Sequence, residues 1–171
     1  KKYNDIETYS AWEKDTTEAN KITLINNGTE AGRKTPQVLQ AIRYLTENAD
    51  HVIIQTPYVI CNGYMYDVLQ RISDHAKLQI VLNAVEKGSN PWGCTDYLNQ
   101  KKKILETGAD VYELMNDYPV HTKAVLIDDR LSVVGSYNLD MRSTYLDTEL
   151  MLVIDSEKLN QQIRATESDY M

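Results

Sequence analysis

His121 and Lys123 stand two residues apart at the head of an apolar run, and Gly135-Ser136-Tyr137-Asn138 follows at a set distance beyond Asp128. Together they offer an imidazole, an ammonium, a hydroxyl and a carboxamide, a combination suited to a phosphodiester. A neutral imidazole can attack phosphorus and form a covalent intermediate, dividing one hard displacement into two. Lys123 and Asn138 would hold the non-bridging oxygens as charge shifts in the transition state. Removing one such donor typically costs on the order of 3 kcal/mol. Taken singly, these residues are ordinary, since a His beside a Lys is usually a surface feature and Gly-Ser is usually a turn. Their joint spacing carries the reading.

The elements that must position them follow from side-chain alternation. On a strand, His121 and Lys123 project from one face. The segments 121–127 and 131–136 are joined too tightly for a crossover, so they form a hairpin. With a two-residue loop at Asp129-Arg130, Asp128 faces Leu131, Lys123 faces Ser136 and His121 faces Asn138. Directly opposed residues share a face. A one-residue change in loop length would turn Ser136 and Asn138 away from His121 and Lys123. Asp128 is out of phase with the pair and reads as an organiser of the hairpin or a salt-bridge partner. Glu149, on the following strand, is a candidate to accept a hydrogen bond from the second imidazole nitrogen of His121.

Upstream, strands and helices alternate. Lys21–Asn26 reads as a strand that exits at Asn27-Gly28, and residues 1–20 are polar with weak helical character. Thr35-Pro36 is an N-cap and first-turn pair for a helix carrying Val38, Leu39, Ile42 and Leu45. His51–Thr56 and Leu78–Leu82 have the continuous apolar centres of strands buried on both faces. Asn62 caps a helix with Met65, Val68, Leu69 and Ile72 as its core stripe. Glu86–Gly93 reads as a loop, and Thr95 caps a helix that ends at Gly108. Val111–Met115 and Glu149–Asp155 are further strands, and the tail from Glu157 is helical. Such alternation predicts an α/β fold: an α-β-α sandwich around a mixed, mostly parallel sheet. His51 and His75 read as structural, and Trp92 as a loop residue that either shields the core or touches a ligand at the mouth.

The 171 residues suffice for a single domain, 1–171. No apolar run approaches a membrane span. Two cysteines, Cys61 and Cys94, make neither a disulfide framework nor a metal cluster. A net charge of −7 disfavours a nucleic-acid partner, which would call for a basic stripe. The one dense basic run, Lys101-Lys102-Lys103, reads as a solvated helix face.

Written as H-x-K-x4-D-x6-G-S-x-N, the block at 121–138 resembles the HKD motif of the phospholipase D superfamily. From about Lys21 to about Asp155 the chain resembles the carboxy-terminal half of bacterial cardiolipin synthases. Ile54-Gln55-Thr56-Pro57-Tyr58 is similar to that family's TPY strand end, and Gly135 to Ser143 to its GS-x-N-x-D-x-RS stretch. Asp147-Thr148-Glu149 resembles its N-x-E, with Asp in place of Asn. The resemblance implies one phospholipase D-like half, the C-terminal half of a longer two-HKD protein. It implies a phosphatidyltransferase acting through a phosphohistidine, with phosphatidylglycerol-like phospholipids as substrates and neither cofactor nor metal. One His becomes the phosphohistidine while the other half's His protonates the leaving alcohol. The second half would lie in the same longer chain or in a homodimer, because this chain holds only one H-x-K-x4-D. Tyr58, Gly135, Arg142 and Ser143 are the expected substrate-binding residues, beside His121, Lys123, Ser136, Asn138, Glu149 and Asp128. The expected location is the cytoplasm or the periphery of the bacterial inner membrane. Two other readings stay open: hydrolysis, as a phospholipase D or less readily a nuclease, and a non-catalytic half that completes a partner's site.

Overall fold

Runs such as Val52-Ile53-Ile54 and Leu78 to Leu82 can satisfy their backbone and bury both faces only inside a sheet flanked by other layers. In the computed structural model, which describes residues 16–168, the first half of the chain forms β1 (Lys21–Asn26), α1 (Gln37–Leu45), β2 (His51–Gln55), β3 (Val59–Ile60), α2 (Gly63–Ser73) and β4 (Lys77–Asn83). A 3-10 turn at Val85–Lys87 leads into α3 (Pro91–Leu105), β5 (Asp110–Leu114), β6 (Ala124–Ile127) and β7 (Leu131–Gly135). The chain closes with β8 (Leu139–Asp140), α4 (Met141–Tyr145), β9 (Leu150–Asp155) and α5 (Glu157–Ser168). Of the polar N-terminal segment expected to be weakly helical, residues 1–15 lie outside the described residues, and 16–19 carry no regular structure.

The main sheet has seven strands in the order β1-β9-β7-β6-β2-β4-β5. It is the expected mixed sheet of an α/β sandwich, but its balance of directions differs. Only β2–β4 and β4–β5 are parallel; β1–β9, β9–β7, β7–β6 and β6–β2 are antiparallel. Helical crossovers of the βαβ type occupy only the β2–β4–β5 side, while the β6–β7 hairpin and the returning β9 build the rest. A second, two-stranded parallel sheet joins β3 to β8. At two residues each, these strands are too short for a periodic signal.

One face of the main sheet carries the larger core. Val38, Leu39 and Ile42 of α1, Met65, Leu69 and Ile72 of α2, and Tyr97 and Ile104 of α3 pack there on Val52, Ile80, Val125 and Met151. On the other face Ile53, Val81, Leu114 and Leu126 form a smaller cluster under Val120 and Ile163 of α5. Fully burying a Leu or Ile side chain contributes about 1.5–3 kcal/mol, so the three-helix face dominates stability. Toward the β1 edge the α5 side is thinly covered, and Ile22, Leu24, Leu150 and Leu152 stay exposed.

Caps follow local chemistry, with two corrections. Asn62 caps α2 as expected, accepting from the Met65 N–H at 3.1 Å. Thr35 does not cap α1; the buried Asn27 reaches across and accepts from Val38 N–H at 3.1 Å. That one side chain also donates to Ser143 O at 2.7 Å, so the exit of β1 ties α1 to α4. For α3 the cap is Asn90, which accepts from Gly93 N–H at 3.2 Å; Thr95 lies within the helix. An Asn followed by Pro91 at the first turn is a stronger start than a later Thr, so helix replaces the end of the expected loop. Gly108, at φ 85°, ends the segment in the left-handed region.

Three helical lysines are occupied within the fold. Lys101 pairs with Glu113 at 2.6 Å, Lys102 with Glu106 at 3.8 Å, and Lys103 lies 4.3 Å from the centroid of the Tyr66 ring. His51 and His75 are structural, the first bonded to Gln79 at 2.6 Å and the second bridging Arg71 O and Thr46 O. Cys61 and Cys94 are free and buried, and burial pushes the Cys61 thiol up to about 12.

The β6–β7 hairpin corrects the expected register. Ile127 pairs with Leu131 and Ala124 with Val134, leaving Asp128, Asp129 and Arg130 in the loop. The extra loop residue is accommodated because Asp128 adopts φ 48°, a conformation that Asp tolerates better than most side chains. Its Oδ1 accepts from the backbone N–H groups of Asp50 and His51, both at 2.9 Å, and so fastens the hairpin to the start of β2. Asp128→Ala should therefore lose about 1–3 kcal/mol in urea denaturation, with Asp128→Asn, which keeps both acceptor and turn, losing clearly less. Equal stability of Asp128→Ala and the parent would refute this role.

Candidate active site

His121 sits just ahead of β6 rather than on it, so its position depends on what holds the preceding loop. Asn83, buried at the end of β4, grips that loop from both sides. Its Oδ1 accepts from Val120 N–H at 2.7 Å and its Nδ2 donates to Val120 O at 2.8 Å and to Pro57 O at 3.2 Å. His121 itself is exposed, while Lys123, two residues on, is buried at 8 % exposure. The ammonium of Lys123 donates to His121 O at 2.8 Å and lies 3.0 and 3.1 Å from the two ring nitrogens. Burial pulls the Lys123 pKa below its ordinary value, while the carboxylates of Glu149 and Asp140 push it back up.

The corrected register places Lys123 opposite Gly135, whose N–H donates to Lys123 O at 3.2 Å, instead of opposite Ser136. Ser136 is brought in through β9: its hydroxyl donates to Glu149 Oε2 and accepts from Leu150 N–H at 3.0 Å. Glu149 is buried, and its field acts on Lys123. Among the described residues no hydrogen bond joins Glu149 to the His121 ring. In place of direct opposition on the hairpin, Glu149, held by Ser136 just ahead of β9, acts on Lys123.

Asn138 turns its amide toward Ser143 Oγ at 3.3 Å, and its Oδ1 is buried without a partner among the described residues. A buried acceptor left open costs about 1–3 kcal/mol, a cost that a bound group can relieve. Ser143 is buried, and its N–H donates to Asp140 Oδ1 at 2.7 Å, making Asp140 the cap of α4. Burial raises the Asp140 pKa, against the N–H groups of Ser143 and Arg142 and the Tyr58 hydroxyl. Tyr58 is likewise raised, first by burial and then by Asp140. Arg142 is exposed and bonded to Asp147 at 3.2 Å. Gly135 has a packing reason: a Cβ there would lie 2.1 Å from Leu150 O and 2.7 Å from Met151 Sδ. Asp128 stands at the opposite end of β6 from Lys123, consistent with a role outside the reacting centre.

Two polar residues near the site carried no sequence signature. Asn83 closes an apolar strand and looks like a turn residue. Gln55 pairs with Ala124 beside Lys123, is buried, and leaves its Nε2 without a partner among the described residues. No three His, Cys, Asp or Glu side chains among the described residues gather into a group that could hold a metal.

The geometry has close relatives. A family model described as cardiolipin synthase, PLD-like domain, matches residues 41–168. The chain belongs to this family. It is 31% identical over 127 residues to cardiolipin synthase A of Serratia proteamaculans, covering 71% of this chain and 25% of that protein. Cardiolipin synthase A of Proteus mirabilis is 32% identical over 125 residues, covering 70% and 24%. The chain thus spans about a quarter of the curated relatives it matches. Among solved structures, the phospholipase D family member Nuc of Salmonella typhimurium superposes with a TM-score of 0.67 at 15% identity, covering 88% of this chain and 94% of that one. Phosphatidylserine synthase of Haemophilus influenzae gives 0.64 at 18% identity, covering 90% and 39%. At such identities the likeness establishes the fold: one phospholipase D-like α/β half.

The electrostatics of Lys123 yield a signed expectation for the chain on its own. Glu149→Gln removes a charge that favours the ammonium, so the Lys123 pKa should fall further below its usual value. Following the Lys123 side-chain resonances against pH by NMR checks this; an upward or absent shift would show that Glu149 does not act on the ammonium.

Proposed function

We propose that this domain is the C-terminal catalytic half of a phosphatidyltransferase of cardiolipin synthase type. The observation that supports the reading best is the buried Lys123 ammonium held against the His121 ring, with the Ser136–Glu149 pair and Asp140 close enough to set its charge. In this reading a phosphatidyl phosphate draws the Lys123 protons from the imidazole to its own non-bridging oxygens. That transfer of hydrogen bonds frees a ring nitrogen to attack phosphorus. The P–O bond to the leaving alcohol breaks, and that alkoxide takes a proton from the histidine of a second half, in the same longer chain or in a second copy. The hydroxyl of an incoming lipid alcohol then attacks the phosphohistidine at His121, its proton going to the now neutral histidine of the second half, and the P–N bond breaks to release His121. Glu149 keeps the lysine charged despite its burial, and Ser136 holds Glu149 in place. Asn138, Gly135, Ser143, Arg142 and Tyr58 complete the substrate side, with Asp128 acting through the hairpin. No metal or cofactor has a part in this scheme.

Membership of the family and its similarity to cardiolipin synthases support the substrate class in this reading. In the full-length protein, His121→Ala should lower phosphatidyl transfer from phosphatidylglycerol by at least about a thousandfold, as loss of a nucleophile does. It should also abolish an acid-labile phosphoenzyme formed from phosphate-labelled lipid. Asn138→Ala should cost about a hundredfold. Unchanged turnover of His121→Ala would reduce this half to a structural role, and release of free headgroup without a transfer product would replace transfer by hydrolysis.

A further inference from the structure

Beside the reacting centre, α3 and α4 enclose a groove of about 390 Å³ whose two levels differ in chemistry. Its floor is polar: Tyr58, Asn90 and Asp140 meet there, near enough for Asp140 and Asn90 to act on the Tyr58 hydroxyl. Its rim is open to solvent, with Trp92 at 84 %, Leu146 at 56 % and Met141 at 42 % exposure beside the exposed Asp96 and Arg142. Gly93 makes the wall possible, because a Cβ there would stand 3.1 Å from two Tyr58 ring carbons. Trp92 thus does not shield the core; the first turn of α3 presents it outward. A separate concavity along the loop that leads to His121 exposes Met115 and Tyr118, and Lys87 pairs there with Asp117 at 3.8 Å.

Single exposed apolar residues are ordinary, but several gathered on one rim above a polar floor mark a binding surface. Trp, Tyr, Met and Leu around polar groups are the side chains that settle at a lipid headgroup boundary, where an aromatic ring can keep one edge wet. The groove adjoins the site, since Asp140 in its floor accepts from Ser143 N–H at 2.7 Å and Ser143 Oγ accepts in turn from Asn138 at 3.3 Å. No described helix is long and apolar enough to cross a membrane, so such contact is at the surface. The net charge is −7, and at the groove the exposed Arg142 is paired with Asp147 and accompanied by Asp96, so charge offers little attraction to an anionic bilayer. Apolar burial must supply the binding.

We propose that the Trp92–Met141–Leu146 rim docks this domain on a phospholipid bilayer and that the groove beneath receives the glycerol end of a lipid for the His121–Lys123 centre. The inference rests on the phospholipid reading of the function, and its test does not depend on turnover. Trp12 is the other tryptophan of the sequence, so in a Trp12→Phe background Trp92 reports alone. On adding phosphatidylglycerol/phosphatidylethanolamine vesicles its emission should shift to the blue, and acyl chains brominated near the headgroup should quench it. Met141→Asp with Leu146→Asp should weaken partitioning by about tenfold or more, given the apolar area lost. Met141→Gln with Leu146→Gln, checked for folding by circular dichroism, should weaken it in the same direction. Raising salt should leave binding unchanged or stronger, because like charges are being screened.

No shift, no quenching, equal quenching in the rim variants, or release by salt would each overturn the docking surface. So would a shift that appears without vesicles as the chain is concentrated, which would assign the rim to a second copy. His121→Ala should bind vesicles like the parent. If vesicles bind but full-length His121→Ala still turns over, the catalytic reading fails while the docking surface stands.

Discussion

A buried ammonium is costly to keep charged, and the region around it is organised to meet that cost. Lys123 has little solvent left, and among the described residues its Nζ bonds only to His121. Two carboxylates supply the compensating field, Glu149 from the start of β9 and Asp140 from the start of α4. Each is itself constrained, Glu149 by Ser136 and Asp140 by the first turn of α4 and by Tyr58. Desolvation of this kind strengthens every interaction that a phosphate would make there, because the groups are already oriented and water no longer competes.

The two halves of the sheet divide the labour. The parallel part, β2–β4–β5, has helices α2 and α3 between its strands and provides the bulk of the packed interior. The antiparallel part, β6–β7–β9–β1, carries the polar residues at one end. Asn83 and Asn27 join these parts, one gripping the His121 loop from β4 and the other tying β1 to α1 and α4. Both are buried amides whose hydrogen bonds reach segments far away in sequence, and losing either would leave backbone groups unpaired in the interior.

Much of this was legible in the residues. Alternating apolar runs located β2, β4 and β9 to within a residue or two, and Asn62 and Gly108 punctuated their helices as expected. Of the expected polar set, His121 and Lys123 lie against each other, while Ser136 bonds to Glu149 and Asn138 to Ser143. What failed was register. Loop length was inferred from sequence separation alone, yet a left-handed Asp128 lets three residues turn where two were expected, and no local pattern reveals that. The caps of α1 and α3 were misplaced for a related reason, since Asn27 acts from eleven positions away and Asn90 precedes a proline inside an apparent loop. The predominance of antiparallel pairs was hidden as well, because strand direction depends on where β1 and β9 return, which is a tertiary outcome.

The pairing of β1 with β9 also dictates an order of assembly. Ile22 meets Ile154 and Leu24 meets Leu152 across more than a hundred and twenty intervening positions. On a ribosome, β1 therefore emerges long before β9, its strand partner among the described residues, whereas the β6–β7 hairpin can close as soon as it is made. Closure of that edge is necessarily a late event, and an unpaired apolar segment must persist while the strands between β1 and β9 are made.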